Sequence, residues 1–341
     1  MNILIWGAGA IGGTIGAHLA RAGHAVTFVD RAADHVAAIN ANGLHITGPI
    51  DQFTVRAAAF TPDELSAEFA VILLCVKAQD TEGAARALAP HLRADGYVVS
   101  AQNGLNELVI ADIVGRERTM GCFVNFGADY HGPGEVMFGG RGAVVVGELD
   151  GQSSPRLQAL HSMLLAFEPN AIMTGNIFGY LWGKLAYGAQ LFATALTNDS
   201  IADCLADPRY ADLYIALARE VMRVARAAGI QPEAFNGFNP HAFLPDGDDA
   251  IAHASLAEMV AFNRKSAKTH SGIWRDLAVR KRRTEVDPQL GPIVTFGQEY
   301  GVPTPITARL IELIHDLEEG RREQSLETLD QLQQTVVTHA D

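Results

Sequence analysis

The 341-residue sequence predicts an α/β fold: a doubly wound, mostly parallel sheet in the N-terminal half, followed by an all-helical C-terminal half. Two observations carry this. Short apolar runs alternate with helical periodicity up to residue 174, the pattern of successive β-α-β units. Beyond residue 176 strand-like runs vanish and helical periodicity dominates. The boundary is therefore expected near Thr174, giving domains 1–174 and 175–341.

The first unit is the most explicit. Asn2 to Trp6 is apolar and stops at Gly7; Gly7, Gly9 and Gly12 then spell G-x-G-x-x-G. A helical pattern follows, with Ile11, Ile15 and Leu19 on one face and Gly23 at its end. A second apolar run, Val26 to Val29, ends at Asp30. Strand, glycine turn, helix and strand in that order form a Rossmann-type dinucleotide-binding unit. Gly7 makes the tight turn, Gly9 lets the backbone approach a pyrophosphate, and Gly12 lets helix and strand pack closely. The segment Gly7-Ala8-Gly9-Ala10-Ile11-Gly12 thus places free N–H groups and a positive dipole end at an anion. The competing reading is a glycine-rich loop that only packs. Arg31 follows Asp30 directly. An acid there grips the ribose hydroxyls and repels a 2′-phosphate, whereas an arginine favours it, so NAD and NADP both stand.

Further along, His35 to Asn42 reads as helix, and Leu44 to Ile46 and Phe53 to Arg56 as short strands. Val71 to Val76 is continuously apolar, as in a strand buried on both faces, and ends at Lys77. Lys77 sits on the ligand edge of such a sheet, or snorkels at the surface. Thr81 to Leu92 is helical. The strand Tyr97 to Ser100 runs into Gln102-Asn103-Gly104, where Asn103 either bonds a ribose or substrate carboxylate or makes a plain turn. Arg118 to Phe126 reads as a strand leading to Gly127. Residues 132–146 read as a hairpin region that adds antiparallel strands to the sheet. Ser153 to Phe167 is a helix and Ala171 to Thr174 a last strand.

The second half opens with a helix over Ile177 to Leu196 that carries Trp182, Lys184 and Tyr187. Lys184 is a cation on an apolar helix: either a partly buried proton donor or a surface lysine. Helices follow over Ala211 to Ala228 and Leu256 to Phe262, separated by a Pro-, Gly- and Asp-rich loop from Gln231 to Asp249. In Lys268 to Asp287, helical spacing puts Trp274, Leu277 and Ala278 on one face with Lys281 and Glu285. The basic run Arg280 to Arg283 is a solvated face or a source of positive potential for a carboxylate. Gly301-Val302-Pro303-Thr304-Pro305 precedes a helix over Ile306 to Glu319, and Glu323 to Val337 is a final one.

Bulk properties narrow the function. A net charge of −13 argues against nucleic-acid or anionic-membrane partners. Three widely spaced cysteines fit a reducing, cytoplasmic compartment. No apolar run is long and clean enough to span a bilayer, the N-terminus lacks the basic stretch of a signal peptide, and no metal-ligand spacing occurs.

Six motifs, in order, carry a resemblance: GAGAIGG from Gly7, VKA at Lys77, QNG at Asn103, W-x-K at Trp182 and Lys184, TEVD around Glu285, and GVPTP from Gly301. Together they resemble the ketopantoate reductase (2-dehydropantoate 2-reductase) family over most of the chain. The resemblance implies an N-terminal Rossmann domain, a helical C-terminal domain and an active site in the cleft. It implies reduction of a small-molecule 2-oxo acid by NAD(P)H, usually NADPH. Lys184 would be the proton donor and Glu285 its positioning partner. Asn103 would contact cofactor and substrate, Lys77 and the Gly127 backbone the cofactor. Acidic helical domains of this kind often pair, so a homodimer is expected. The chain also departs from the pattern. Gly188 and Phe192 stand where the family carries substrate-binding asparagines one and two turns after the lysine. Ser271 only approximates the family's serine, and Asp30 is unlike an NADP-preferring acceptor. These departures point to a bulkier, less polar 2-oxo acid, as in mandelate-type dehydrogenases. A non-catalytic dinucleotide sensor is the third alternative, and it would need neither Lys184 nor Glu285.

Overall fold

The computed structural model describes residues 2–235, 237–265 and 269–338. The chain forms two compact units, Met1–Ile177 and Phe178–Asp341.

In chain order the first unit contains β1 (Asn2–Trp6), α1 (Ala10–Arg21), β2 (Ala25–Val29), α2 (Ala33–Asn42), β3 (Leu44–Thr47), β4 (Phe53–Val55), β5 (Ala58–Phe60) and β6 (Phe69–Leu74). There follow α3 (Thr81–Leu88), β7 (Leu92–Ser100), α4 (Asn106–Val114), β8 (Thr119–Val124), β9 (Gly127–Gly132), β10 (Glu135–Gly140), β11 (Val144–Glu148), α5 (Pro155–Leu164) and β12 (Ile172–Met173). The main sheet has the order β5-β2-β1-β6-β7-β8-β11-β12. Its central strands are parallel, and Ile3 lies opposite both Val26 and Val71. Only β11 runs antiparallel to its inner neighbour, β8. Strand order reverses between β1 and β6, which makes the ends of those strands the topological switch point where α/β sheets bind ligands. Ile3, Leu4, Ile5, Ile72, Leu73 and Leu74 are fully buried, as strands covered on both faces require.

One expectation about this half is corrected, and one helix is added. The hairpin β9–β10 does not extend the main sheet. It joins β3 and β4 in a separate four-stranded sheet of order β4-β3-β10-β9. Val136 and Phe138 are fully buried while Met137 and Gly139 are not. That one-faced, period-two pattern covers a helix from one side and cannot sit inside a sheet buried on both. The covered helix is α1: a Cβ on Gly13 would lie 3.1 Å from Val136. The added helix is α4, which sequence periodicity did not reveal. It is a short helix that starts immediately after the QNG turn.

The second unit contains α6 (Ile177–Thr194, whose first residue belongs to the first unit), α7 (Ile201–Ala206), α8 (Ala211–Ala227), α9 (Asp249–Arg264), α10 (Gly272–Ala278), α11 (Val286–Tyr300), α12 (Pro305–Glu318) and α13 (Leu326–Thr338). Helix α8 packs against α9, α11, α12 and α13, and its Leu213, Leu217, Val221 and Val224 are fully buried. A buried carboxylate on this helix does capping work. Glu220 accepts from the backbone N–H groups of Ile306 and Thr307 at 2.9 and 2.8 Å and from the Thr307 hydroxyl at 2.8 Å. It supplies the acceptors that the α12 N-terminus lacks in its own sequence.

The stretch before α11 also departs from expectation. Lys268 lies outside the described residues. Trp274 and Glu285 do not share one helix: α10 ends at Ala278, Lys281 takes a left-handed φ of 48°, and α11 begins at Val286. Asp276 breaks the periodicity. Its buried carboxylate pairs with Arg280 at 3.0 Å and Arg282 at 2.9 Å and folds the basic run back on itself.

Candidate active site

The glycine segment fulfils three separate steric demands. Gly7 has φ +99°, and a Cβ there would stand 2.9 Å from the Val76 nitrogen. A Cβ on Gly12 would lie 2.0 Å from the Gly7 carbonyl oxygen and 2.8 Å from Ile5. Both positions exclude every other residue. Gly9 differs: a Cβ there would meet nothing within 4 Å. The protein does not fill that space, and a closely approaching pyrophosphate would use it. Gly9 is the N-cap of α1 and contributes no side-chain cap, and the first turn of α1 carries no acid. Unsatisfied N–H groups, a positive helix end and a cradle that a methyl would fill together fit a dinucleotide phosphate.

Asp30 has a function the sequence did not reveal. Its Oδ2 accepts from Ala8 N–H at 2.9 Å and its Oδ1 from Ala32 N–H at 3.0 Å. The acid at the end of β2 therefore braces the glycine loop. Each oxygen keeps a lone pair for a ribose hydroxyl. Arg31 is 79 % exposed and pairs with Asp80 at 3.2 Å, so the loops after β2 and β6 adjoin. Lys77 is exposed and lies three residues past β6, at the start of the turn that carries Asp80.

Asn103 is half-buried, and Gly104 after it has φ +101°, so the turn demands its glycine. Behind Asn103 runs a buried relay. Gln102 Nε2 donates to the Val76 carbonyl at 2.9 Å and to Thr81 Oγ1 at 2.8 Å. The Thr81 hydroxyl donates to Asn106 Oδ1 at 2.9 Å, and Asn106 Nδ2 donates to the Asn103 carbonyl at 2.6 Å. The relay ties the end of β6 to the loop carrying Asn103. Next to Asn106, Glu107 is fully buried. Burial pushes its pKa up to about 7. Gly127 opens β9 opposite Gly140, in the smaller sheet.

In the second unit, Tyr180, Lys184, Tyr187, Gly188 and Leu191 are the partly exposed residues of α6 beyond its first turn. Their spacing makes one stripe. Trp182 is on the buried side, edge-on to Phe296 with ring centroids 5.7 Å apart. Phe192 is also on the buried side, with no exposed surface. At about 100° per residue it lies ~80° round the helix from Lys184, whereas Leu191 lies ~20° away. The expectation that Phe192 lines the substrate pocket is corrected: it is a core residue, and Leu191 holds the place on the exposed stripe. A Cβ on Gly188 would stand 3.8 Å from Gln289 Oε1. Gln289 lies on α11 one turn after Glu285, and Gly188 lies on α6 one turn after Lys184. Glu285 is itself buried, and it immediately precedes α11. Ser271 is buried as the N-cap of α10, where its Oγ accepts from Trp274 N–H at 3.1 Å.

Comparison with known proteins decides the family. The N-terminal ketopantoate reductase PanE/ApbA family description matches residues 3–151, and its C-terminal counterpart matches residues 176–318. The chain belongs to the ketopantoate reductase family. It is accordingly an NAD(P)-dependent oxidoreductase with the two-part architecture described above. A 2-dehydropantoate 2-reductase of Archaeoglobus fulgidus is 29% identical over 322 residues, covering 94% of this chain and 98% of the relative. A PanE/ApbA family ketopantoate reductase from Ralstonia eutropha JMP134 superposes with TM-score 0.79 at 28% identity, covering 94% and 99% of the two chains. A D-mandelate dehydrogenase solved with NADH and anilino(oxo)acetate superposes with TM-score 0.82 at 24% identity, over 94% and 99%. At that identity it bears on the fold alone. Among the described residues no helix is long and apolar enough to cross a membrane.

Proposed function

We propose that this family member reduces a 2-oxo acid to the corresponding 2-hydroxy acid, with Lys184 protonating the ketone oxygen. Bound NAD(P)H supplies a hydride to the carbonyl carbon. Charge then develops on the oxygen, where a positioned ammonium stabilises it and gives up a proton. The observation that carries the reading is the approach of Gln289 to Gly188. Glu285 and Lys184 each lie one turn before those contact residues, which supports an ion pair between them. Such a carboxylate keeps Lys184 protonated until the transfer and fixes its direction.

Gly7 to Gly12 hold the pyrophosphate in this reading. Asp30 and Arg31 take the adenosine ribose, while Lys77, Asn103 and Gly127 line the rest of the cofactor. Asn103 also reaches the substrate. The Asp30 charge disfavours a 2′-phosphate, so NADH is accepted at least as well as NADPH. Ser271 contributes as a helix cap beneath the substrate region rather than through a free hydroxyl.

For the substrate, the stripe of Tyr180, Tyr187, Gly188 and Leu191 offers apolar surface beside Lys184 and carries no amide of its own, Gln289 approaching it from α11. That favours a 2-oxo acid with a larger apolar side chain over ketopantoate. A panel of 2-oxo acids with NADH and with NADPH, followed by loss of reduced-cofactor absorbance, tests the proposal. An aromatic or long aliphatic 2-oxo acid should give the highest kcat/KM. Ketopantoate outrunning all of them would return the protein to the strict reductase activity. Oxidation of neither cofactor with any 2-oxo acid would refute the assignment.

We also propose a cytoplasmic homodimer formed through the helical unit, where Ile251, Phe262 and Val279 leave apolar surface exposed. Sedimentation at the monomer mass would contradict the dimer.

A further inference from the structure

We propose that His35 is a positioning residue for dinucleotide binding, because it locks the peptides around Ala8 in the orientation that aims the Gly9 N–H at the phosphates. This rests on the dinucleotide-binding reading of the glycine segment.

His35 lies on α2 and is 1% exposed. Its Nδ1 is 2.9 Å from the Gly134 backbone nitrogen, and its Nε2 is 2.9 Å from the Ala8 carbonyl oxygen. A backbone N–H can only donate and a backbone carbonyl can only accept. Nδ1 must therefore present a bare lone pair and Nε2 must carry the hydrogen. The roles of the two ring nitrogens of His35 are set by two groups that cannot exchange roles.

The consequence falls on the glycine loop. The Ala8 carbonyl and the Gly9 N–H belong to one planar trans peptide and point in opposite directions. Fixing the carbonyl on His35 directs the Gly9 N–H away from α2. The preceding peptide is fixed too, by the Ala8 N–H on Asp30 Oδ2 at 2.9 Å. The loop is thus clamped on both sides of Ala8, at the residue before the open cradle of Gly9. Gly134 belongs to the turn between β9 and β10, so the smaller sheet anchors the clamp. Without it, ordering the loop would draw on the binding free energy of the ligand.

The test uses the full chain and fluorescence titration with NADH and NADPH. Glutamine retains one acceptor and one donor. His35→Ala should weaken binding roughly tenfold, the scale of an orphaned buried hydrogen bond. His35→Gln should recover most of that loss. If His35→Ala does not fold, His35→Leu, which keeps the bulk and makes neither bond, takes its place. Wild-type affinity in the variant without the bonds, or a His35→Gln protein that binds no tighter than that variant, would overturn the proposal. Wild-type protein that binds neither dinucleotide would overturn the underlying reading instead.

Discussion

The glycine-loop region of the first unit and the α6–α11 region of the second are built on different principles. In the proposed reading the backbone around Gly7, Gly9 and Gly12 is the functional group, and side chains serve to hold it. In the same reading the side chains of Lys184 and Glu285 are the functional groups, and the backbone only sets the phase of Lys184 on α6 and places Glu285 just before α11. Backbone demands write themselves into sequence as residues nothing else can replace. Side-chain sites leave weaker traces, because the same lysine on the same helix serves equally well at an inert surface.

The largest effect that would break this comparison is on turnover. Lys184→Ala should lower kcat by roughly a hundredfold or more, the scale for losing a positioned acid. Its dinucleotide Kd should stay near the wild-type value, since the phosphate cradle belongs to the other unit. Steady-state kinetics beside a binding titration would check both, and wild-type kcat in the variant would show that the stripe on α6 has no chemical role.

Next comes a contrast between two glycines only three residues apart. Gly12→Ala places a methyl 2.0 Å from the Gly7 carbonyl oxygen. It should lower the stability of the first unit by about 1–3 kcal/mol or more, as overpacking does. Gly9→Ala meets no protein atom within 4 Å. Its melting temperature should be unchanged while dinucleotide affinity drops. Equal thermal stability in the two variants would contradict the steric account, and unchanged affinity in Gly9→Ala would remove the phosphate from that space.

The smallest effect concerns Glu107, which lies beside the relay but in none of its hydrogen bonds. Burial raises its pKa from an ordinary carboxyl value to about 7. In the folded protein it stays protonated over a range where the unfolded chain has already released the proton. Stability therefore falls as pH rises from ~4.5 to ~7 and then levels off. Glu107→Gln removes that loss. It should melt higher than wild type at about pH 8, by at most a few kcal/mol on the linkage scale, and the gain should vanish near pH 5. Thermal melts at the two pH values check this; a gain that is the same at both would mean the carboxyl is ionised at neither or at each.

The legibility of the sequence follows the same division. The β1–α1–β2 unit could be read because each glycine answers a steric demand, and the apolar run ending at Val76 because a two-sided strand has no alternative composition. Strands β9 and β10 were legible as a hairpin but not in their sheet membership. The buried alternation of Val136 and Phe138 signalled a one-faced sheet, yet only the pairing of β10 with β3 says which helix it covers. The bracing of the glycine loop by Asp30 and the roles of His35, Thr81 and Asn106 were not legible at all. They act through backbone groups distant in sequence, and no local pattern records that. Phe192 was misplaced for a related reason: a turn of helix is 3.6 residues, so counting two turns from Lys184 leaves 191 and 192 undivided until packing separates them. Glu285 was assigned to a helix that Lys281 and Asp276 interrupt.

The most direct test of the account is a double-mutant cycle on Lys184 and Glu285, measured in kcat at saturating cofactor on the best 2-oxo acid. If Glu285 acts through Lys184, the Lys184→Ala/Glu285→Ala enzyme should be no slower than Lys184→Ala alone, the non-additivity of residues that work as a unit. Two losses that multiply in full would contradict the account, because the carboxylate and the lysine would then act independently.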